Sequence, residues 1–253
     1  MPIDQSEAIV LRTYNFGDQD KIVVFFTREK GVLRGVAKGA RKFNNRFGSS
    51  LEPMSMVRAF YYEKERKDLV TISSCDLLES FFEAQNDLKV ACAAGYFAEL
   101  IEAFSPSRSK DDVLYRLLLS VLRCLAGKGD PAFLARYFEG WFLRINGLLP
   151  DLARCKKCRR PLSGPAWLSP KRDGAYCGEC APARKEAVPP EAALFLKWIR
   201  DNPPSEACPL PFDRGNLAAV DGVLQAMITF HLEKEPRTLR FFRMKMYGGN
   251  ETS

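Results

Sequence analysis

The chain has a single histidine, His231, among 253 residues. A nucleophilic or acid-base site that needed an imidazole would have to be built around that one residue, and no serine or cysteine motif surrounds it. His231 extends the apolar face of a helical pattern, so it reads as a packed or interface residue. The chain also lacks a Gly-x-x-x-x-Gly-Lys-Ser/Thr phosphate loop, which argues against nucleotide hydrolysis by that route. It has no run of eighteen uninterrupted apolar residues, so no membrane span is expected. The opening Met-Pro-Ile-Asp-Gln-Ser-Glu carries no basic region followed by an apolar stretch, so no secretion signal is expected and a cytoplasmic location is. Carboxylate pairs such as Asp18/Asp20 and Asp111/Asp112 could hold magnesium, but they fall in a turn and at a helix start, ordinary places for aspartate. The expectation is a protein that is not an enzyme.

What is present begins with cysteine. Of eight cysteines, four form Cys155-Lys-Lys-Cys158 and Cys177-Gly-Glu-Cys180. Two such pairs separated by eighteen residues match the tetrathiolate zinc pattern, in which each pair makes a knuckle and the two knuckles close on one ion. Four thiolates leave no open coordination position, so the expected cofactor is one structural zinc ion. Arg154, Lys156, Lys157, Arg159 and Arg160 surround the first knuckle, and Lys171 and Arg172 precede the second. Cys75, Cys92, Cys124 and Cys208 occur singly, as reduced thiols do in the cytosol.

Residues 1–80 alternate in the manner of β-strands, at Glu7–Tyr14, Lys21–Thr27, Val32–Lys38, Met54–Tyr62 and Leu69–Cys75, consistent with a small barrel or sandwich. Net charge is +7, and the segment Lys21–Arg46 alone holds eight basic residues against one acidic residue. Between the third and fourth strands lies Gly39-Ala-Arg41-Lys42-Phe43-Asn-Asn-Arg46-Phe47-Gly48, too polar for a core. Such a charge run is compatible with a merely solvated surface. Two phenylalanines interleaved with cations are also the combination that tracks a sugar-phosphate backbone while offering rings to bases.

From residue 81 the period becomes helical. Asp87–Phe104, a helix carrying Leu114, Leu118, Val121 and Leu125, and one opened by Asp130-Pro131 and carrying Leu134, Phe138 and Phe142 are expected, the last two as an antiparallel pair. Helices near Pro190–Ile199 and Asn216–Glu233 follow. The expected organisation is a β domain at 1–80, helical parts at 81–150 and 186–245, the four-cysteine insert at 151–185 and a tail at 246–253.

Several segments, taken together and in order, resemble the bacterial recombination mediator family RecO. They are Ala8-Ile-Val-Leu-Arg12, Gly17-Asp18, Gly31-Val-Leu-Arg-Gly-Val-Ala-Lys-Gly-Ala-Arg41, Leu51-Glu-Pro53, Leu69-Val-Thr-Ile72, Arg136-Tyr-Phe-Glu139, Gly147-Leu-Leu-Pro150 and the four cysteines. The resemblance implies an α+β chain with an N-terminal five-stranded OB-fold barrel and a helical C-terminal domain bearing the zinc insert. It further implies binding of single- and double-stranded DNA, annealing of complementary strands, and action with RecR and RecF in loading RecA onto DNA coated by single-stranded-DNA-binding protein. In that frame Lys38, Arg41, Lys42 and Arg46 are the expected phosphate contacts, with Arg34 supporting and Phe43 or Phe47 stacking on bases. Arg136 matches a family arginine near the docking place of the acidic C-terminal tail of the single-stranded-DNA-binding protein. A zinc-ribbon regulator of duplex DNA would share the charge and the cysteines, and a metal-dependent nuclease is a third reading.

Overall fold

The computed structural model describes residues 2–63, 68–105, 109–182, 184–206 and 212–247. They divide into two compact units, Met1–Lys128 and Gly129–Ser253.

The first unit contains the five expected strands, with β1 and β5 several residues longer than their patterns suggested, β2 one residue longer and β4 shorter: β1 (Ile3–Phe16), β2 (Asp20–Thr27), β3 (Gly31–Ala37), β4 (Met56–Tyr62) and β5 (Leu69–Glu79). They close into a barrel in the order β1-β2-β3-β5-β4, the OB arrangement. Long β1 makes this possible by pairing with both β2 and β4, and its register shifts between Val10 and Arg12, a local bend of the kind that lets one strand serve two neighbours. The last seam is the parallel pairing of β3 with β5. Val10, Phe25, Leu33, Val57, Tyr61 and Ile72 fill the interior.

Two glycines are needed for this geometry. At Gly35 a Cβ would come within 2.8 Å of both Ile72 Cγ1 and Val70 Cγ2, so the parallel seam closes only around a residue without a side chain. At Gly31 φ is +60°, and a Cβ would lie 2.1 Å from the Ser109 carbonyl oxygen. Thr27 holds the same turn, its hydroxyl donating to the Gly31 carbonyl at 2.9 Å and accepting from the Lys30 N–H at 3.0 Å.

Helices α1 (Leu88–Phe104) and α2 (Asp112–Ala126) belong to this unit. Each starts at an aspartate cap: Asp87 accepts from the Lys89 N–H and Asp111 from the Leu114 N–H. They are tied to the barrel by Arg12–Glu102 (2.7 Å), Arg28–Asp112 (2.7 Å) and Arg123–Glu79 (2.8 Å).

The second unit is built on α3 (Pro131–Ile145), capped by Asp130 with proline at its first position. It also holds α4 (Pro190–Asp201), α5 (Arg214–Leu232) and α6 (Leu239–Tyr247), and a small sheet of β6 (Ala166–Leu168), β7 (Ala175–Cys177) and β8 (Ala187–Val188) in the order β7-β6-β8. The apolar stripe expected on α3 is core, but α3 is buried on its other faces too, at Ala132, Phe133, Arg136 and Glu139. A Cβ on Gly140 would lie 2.5 Å from Ile199 Cδ1, so α4 approaches closely there. Trp141 and Tyr137 donate to the carbonyls of Ile199 and Asn202 at 3.0 and 3.1 Å, satisfying the C-terminal end of α4.

The structure departs from the sequence expectation in two places. Helices α2 and α3, expected as an antiparallel pair, fall in different units, and α3 packs on α4 and α5 instead. Helix α6 was not foreseen as a separate element; it closes the expected helical part and runs through Met246 and Tyr247 of the expected tail, and its buried Leu239, Phe242 and Met246 follow helical spacing. The remainder of that tail, 248–253, and Cys208 lie outside the described residues.

Gly35→Ala should destabilise the protein by about 1–3 kcal/mol through overpacking, whereas Gly95→Ala, an open position inside α1, should be neutral or stabilising by up to about 1 kcal/mol. Chemical denaturation of the two variants tests this; equal effects would mean that the seam tolerates a side chain.

Candidate metal centre and nucleic-acid interface

The four cysteines converge as their spacing requires. The Sγ atoms of Cys155, Cys158, Cys177 and Cys180 all lie within 4.8 Å of one another, and Cys158 and Cys177 are 3.8 Å apart. Tetrahedral metal-thiolate bonds of about 2.3 Å imply sulfur-sulfur edges of about 3.8 Å. The donor set and its spacing therefore fit a metal ion.

Backbone geometry makes the two knuckles. In the first, the Arg159 N–H donates to the Cys155 carbonyl at 2.9 Å and the Cys155 N–H to the Arg160 carbonyl at 2.8 Å, with Arg159 at φ +63°. In the second, the N–H groups of Cys180 and Ala181 both donate to the Cys177 carbonyl at 3.0 Å. Burial opposes ionisation of Cys155, but N–H groups of Cys158, Cys177 and Lys157 outweigh it and bring that thiol down to about 6. Burial and the neighbouring cysteines push Cys180 up to about 12. Four sulfurs so close ionise together only if a cation shares them, and binding therefore weakens as acid protonates the thiolates. Of the surrounding cations, Lys156 pairs with Asp173, Arg160 with Glu179 (3.0 Å) and Arg172 with Glu186 (2.5 Å), whereas Lys157, Arg159 and Lys171 have no carboxylate partner among the described residues.

The basic segment of the barrel separates into two groups. Arg28 is neutralised by Asp112 and Glu7, and Lys30 by Asp4 and Glu63 at 2.9 Å each. The Arg28 hydrogen bond holds the Asp112 carboxyl below its usual range, and hydrogen bonding to Glu63 holds Lys30 protonated above its own. Arg34 is 3.6 Å from Glu102, which pairs more closely with Arg12. Lys38, Arg41, Lys42 and Arg46, by contrast, are exposed and have no carboxylate ion pair among the described residues. The excess charge is thus concentrated in the loop after β3.

That loop is held in place. Its apolar members Ala40, Phe47 and Leu51 join the barrel core. Arg41 donates its N–H to the Gln19 carbonyl (2.9 Å) and its guanidinium to the Gly17 carbonyl (3.0 Å), tying the loop to the β1–β2 turn. The Gly39 N–H donates to Asp20 (2.8 Å), and Asn45 accepts from the N–H groups of Phe47 and Gly48. Gln19, Asp20, Lys38, Lys42, Asn45 and Arg46 line a recess of about 410 Å³.

Phe43 and Phe47, treated as alternatives by sequence reasoning, have opposite surroundings. Phe43 is fully exposed, whereas Phe47 is only 4% exposed and packed in the barrel. Phe47 therefore cannot stack on a base; it anchors the loop. Arg46 also has a structural task, donating to the Ser73 carbonyl at 2.6 Å and lying over the Phe47 ring at 4.7 Å.

Arg136 needs a larger correction. Its side chain is fully buried, paired with Glu139 on α3 (2.6 Å) and with Asp221 on α5, and it lies over the Phe242 ring of α6 at 5.5 Å. Gln225 donates to the same Glu139 oxygen at 2.5 Å, and Arg243 pairs with Asp221 at 2.7 Å. A guanidinium so enclosed is not on a surface that a docking peptide reaches. It neutralises buried acids and joins three helices, and removing one partner of such a pair leaves the other uncompensated, at a cost of about 3–5 kcal/mol.

The model for the N-terminal region of recombination protein O matches residues 1–81, and that for its C-terminal region matches residues 85–240. The chain belongs to the RecO family. Its relatives include the DNA repair protein RecO of Koribacter versatilis, 36% identical over 233 residues that cover 92% of this chain and 95% of the relative. The DNA repair protein RecO of Pelotomaculum thermopropionicum is 32% identical, with 95% and 94% covered, and that of Desulforudis audaxviator is 34% identical, with 94% and 96% covered. The RecO N-terminal match ends with the barrel, while α1 and α2, inside the C-terminal match, are part of the barrel's compact unit.

Within this RecO-family chain, sequence reasoning missed Asp221 and Arg243. Asp221 interrupts an apolar helix face, and that interruption was the available signal of a buried charge partner.

Metal analysis of the purified protein should find one metal ion per chain, and Cys155→Ser should lower both that content and the thermal stability. Metal-free protein with all four thiols reactive and full stability would contradict the assignment.

Proposed function

We propose that this chain is a DNA repair protein that mediates recombination: it binds single- and double-stranded DNA, anneals complementary strands and, with RecR and RecF, helps load RecA onto DNA coated by single-stranded-DNA-binding protein. The observation that carries the reading is the set of exposed cations at Lys38, Arg41 and Lys42, which form no ion pair among the described residues, held on an OB barrel in a chain that matches the RecO family over nearly its full length.

The mechanism rests on charge. Two DNA strands repel each other, and cations that neutralise phosphates release counterions and lower that repulsion whatever the sequence. A groove that holds the backbone leaves Watson–Crick edges free to pair, so annealing needs no acid, base or nucleophile. Arg34 contributes at the margin, since Glu102 shares its charge, and Arg46 does so while braced against the Ser73 carbonyl. Phe43, exposed at the loop tip, is a ring available to bases.

The metal in this reading is zinc, held by Cys155, Cys158, Cys177 and Cys180. When bound it supplies no reactive position; it fixes the two knuckles and the small sheet beside them. The acidic tail of the single-stranded-DNA-binding protein is a proposed partner of the second unit, through surface side chains other than the buried Arg136. The protein acts in the cytoplasm and on the nucleoid, and no helix among the described residues is long and apolar enough to cross a membrane.

Fluorescence-monitored annealing of complementary oligonucleotides tests the proposal, with strands bare or coated by the cognate single-stranded-DNA-binding protein. Acceleration that survives coating, without ATP and with strands intact, is expected. Absence of acceleration from folded, metal-loaded protein would contradict it, and strong preference for one duplex site would point to a regulator instead.

A further inference from the structure

The outer face of the barrel across β1, β2 and β3 is covered for only part of its length. Directly opposed residues on neighbouring strands share a face. In the first outward row, Arg12, Val24 and Arg34 are opposed. Glu102 of α1 reaches both arginines, and Val24 beneath is buried. The next row, Tyr14, Ile22 and Val36, is only partly covered, with Tyr14 48% exposed. Two residues further along β1, Phe16 is opposite Asp20 and is also 48% exposed. Tyr14, Ile22 and Val36 thus form one partly exposed row, and Phe16 continues it along β1.

This patch adjoins the unneutralised loop. Arg41 is bonded to the Gly17 and Gln19 carbonyls, immediately after Phe16, and Lys38 shares with Asp20 the recess beside the Phe16 pair. Rings beside cations that form no ion pair among the described residues match a ligand with alternating apolar faces and phosphates. A duplex keeps its base faces stacked inside, so only an unpaired strand can use the rings.

We propose that Tyr14 and Phe16 form a base-stacking platform for single-stranded nucleic acid, with Lys38, Arg41 and Lys42 holding the backbone along its edge. This rests on the DNA-binding reading above and deepens it: the cations bind any strand, and the rings supply preference for an unpaired one. Phe43 is a separate ring on the loop tip, and Tyr14 and Phe16 provide the fixed surface because their backbone is locked in the β1–β2 ladder.

The test is binding of the full chain to oligothymidylate, to an abasic oligonucleotide of the same length and to a duplex. Tyr14→Ala and Phe16→Ala should each weaken oligothymidylate binding by about five- to a hundredfold, leaving the other two ligands within about twofold and the salt slope unchanged. Phe16→Trp guards against a folding defect: it should retain affinity, and its added emission, read against the parent protein, should be quenched by oligothymidylate but not by the abasic strand. Equal weakening of all three ligands, or no quenching, would overturn the platform. Unchanged binding by both ring variants, while Lys38→Ala/Lys42→Ala weakens all three ligands, would overturn the platform and leave the DNA interface standing. No effect from any variant would overturn both.

Discussion

The parallel seam between β3 and β5 sets the conditions for the rest of the first unit. Parallel neighbours cannot be joined by a tight hairpin, so β3 must leave the barrel and the chain must return through β4 before β5 completes the closure. The excursion after β3 is the basic loop, and Gly35 lets the seam close behind it. Phe47, Ala40 and Leu51 turn the loop back into the barrel core, so its cations are carried on a braced segment. A braced loop loses less conformational entropy on binding than a free one, which suits the proposed role of holding a flexible polyanion.

The second unit solves a different problem. Helix α3 is surrounded by its neighbours, so Arg136 and Glu139 in its middle are enclosed and must be paired there. Asp221 from α5 and Arg243 from α6 complete a network that ties three helices together. The cysteine cluster staples the segment between α3 and α4, a stretch whose strands are only two or three residues long and which has little apolar material with which to hold itself.

Much of this was legible in the sequence because local pattern decided it. Strand alternation located all five barrel strands, the aspartate caps located helix starts, and paired knuckle spacing located the cysteine quartet. What escaped depends on contacts between distant segments. Phe43 and Phe47 look alike in sequence, and only closure of the barrel makes one a plug and leaves the other in solvent. Arg136 lies off the apolar stripe of α3, so it read as a surface residue until α5 and α6 covered it. Helix α6 is short and a third of it is basic, and Leu239, Phe242 and Met246 signal it too weakly against the basic residues between them. Tyr14 read simply as the last residue of a strand and Phe16 as part of the turn after it, because their place on an exposed face follows from how far β1 and α1 extend.

In the proposed function, DNA affinity resides in the loop cations that form no ion pair among the described residues. The salt dependence of oligothymidylate binding measures this most directly, since each phosphate contact contributes about 0.7 to the slope of log affinity against log salt on a single strand. Replacing Lys38 and Lys42 with alanine together should lower the magnitude of that slope by about 1.4. An unchanged slope in folded protein would place the phosphate contacts elsewhere and contradict the account.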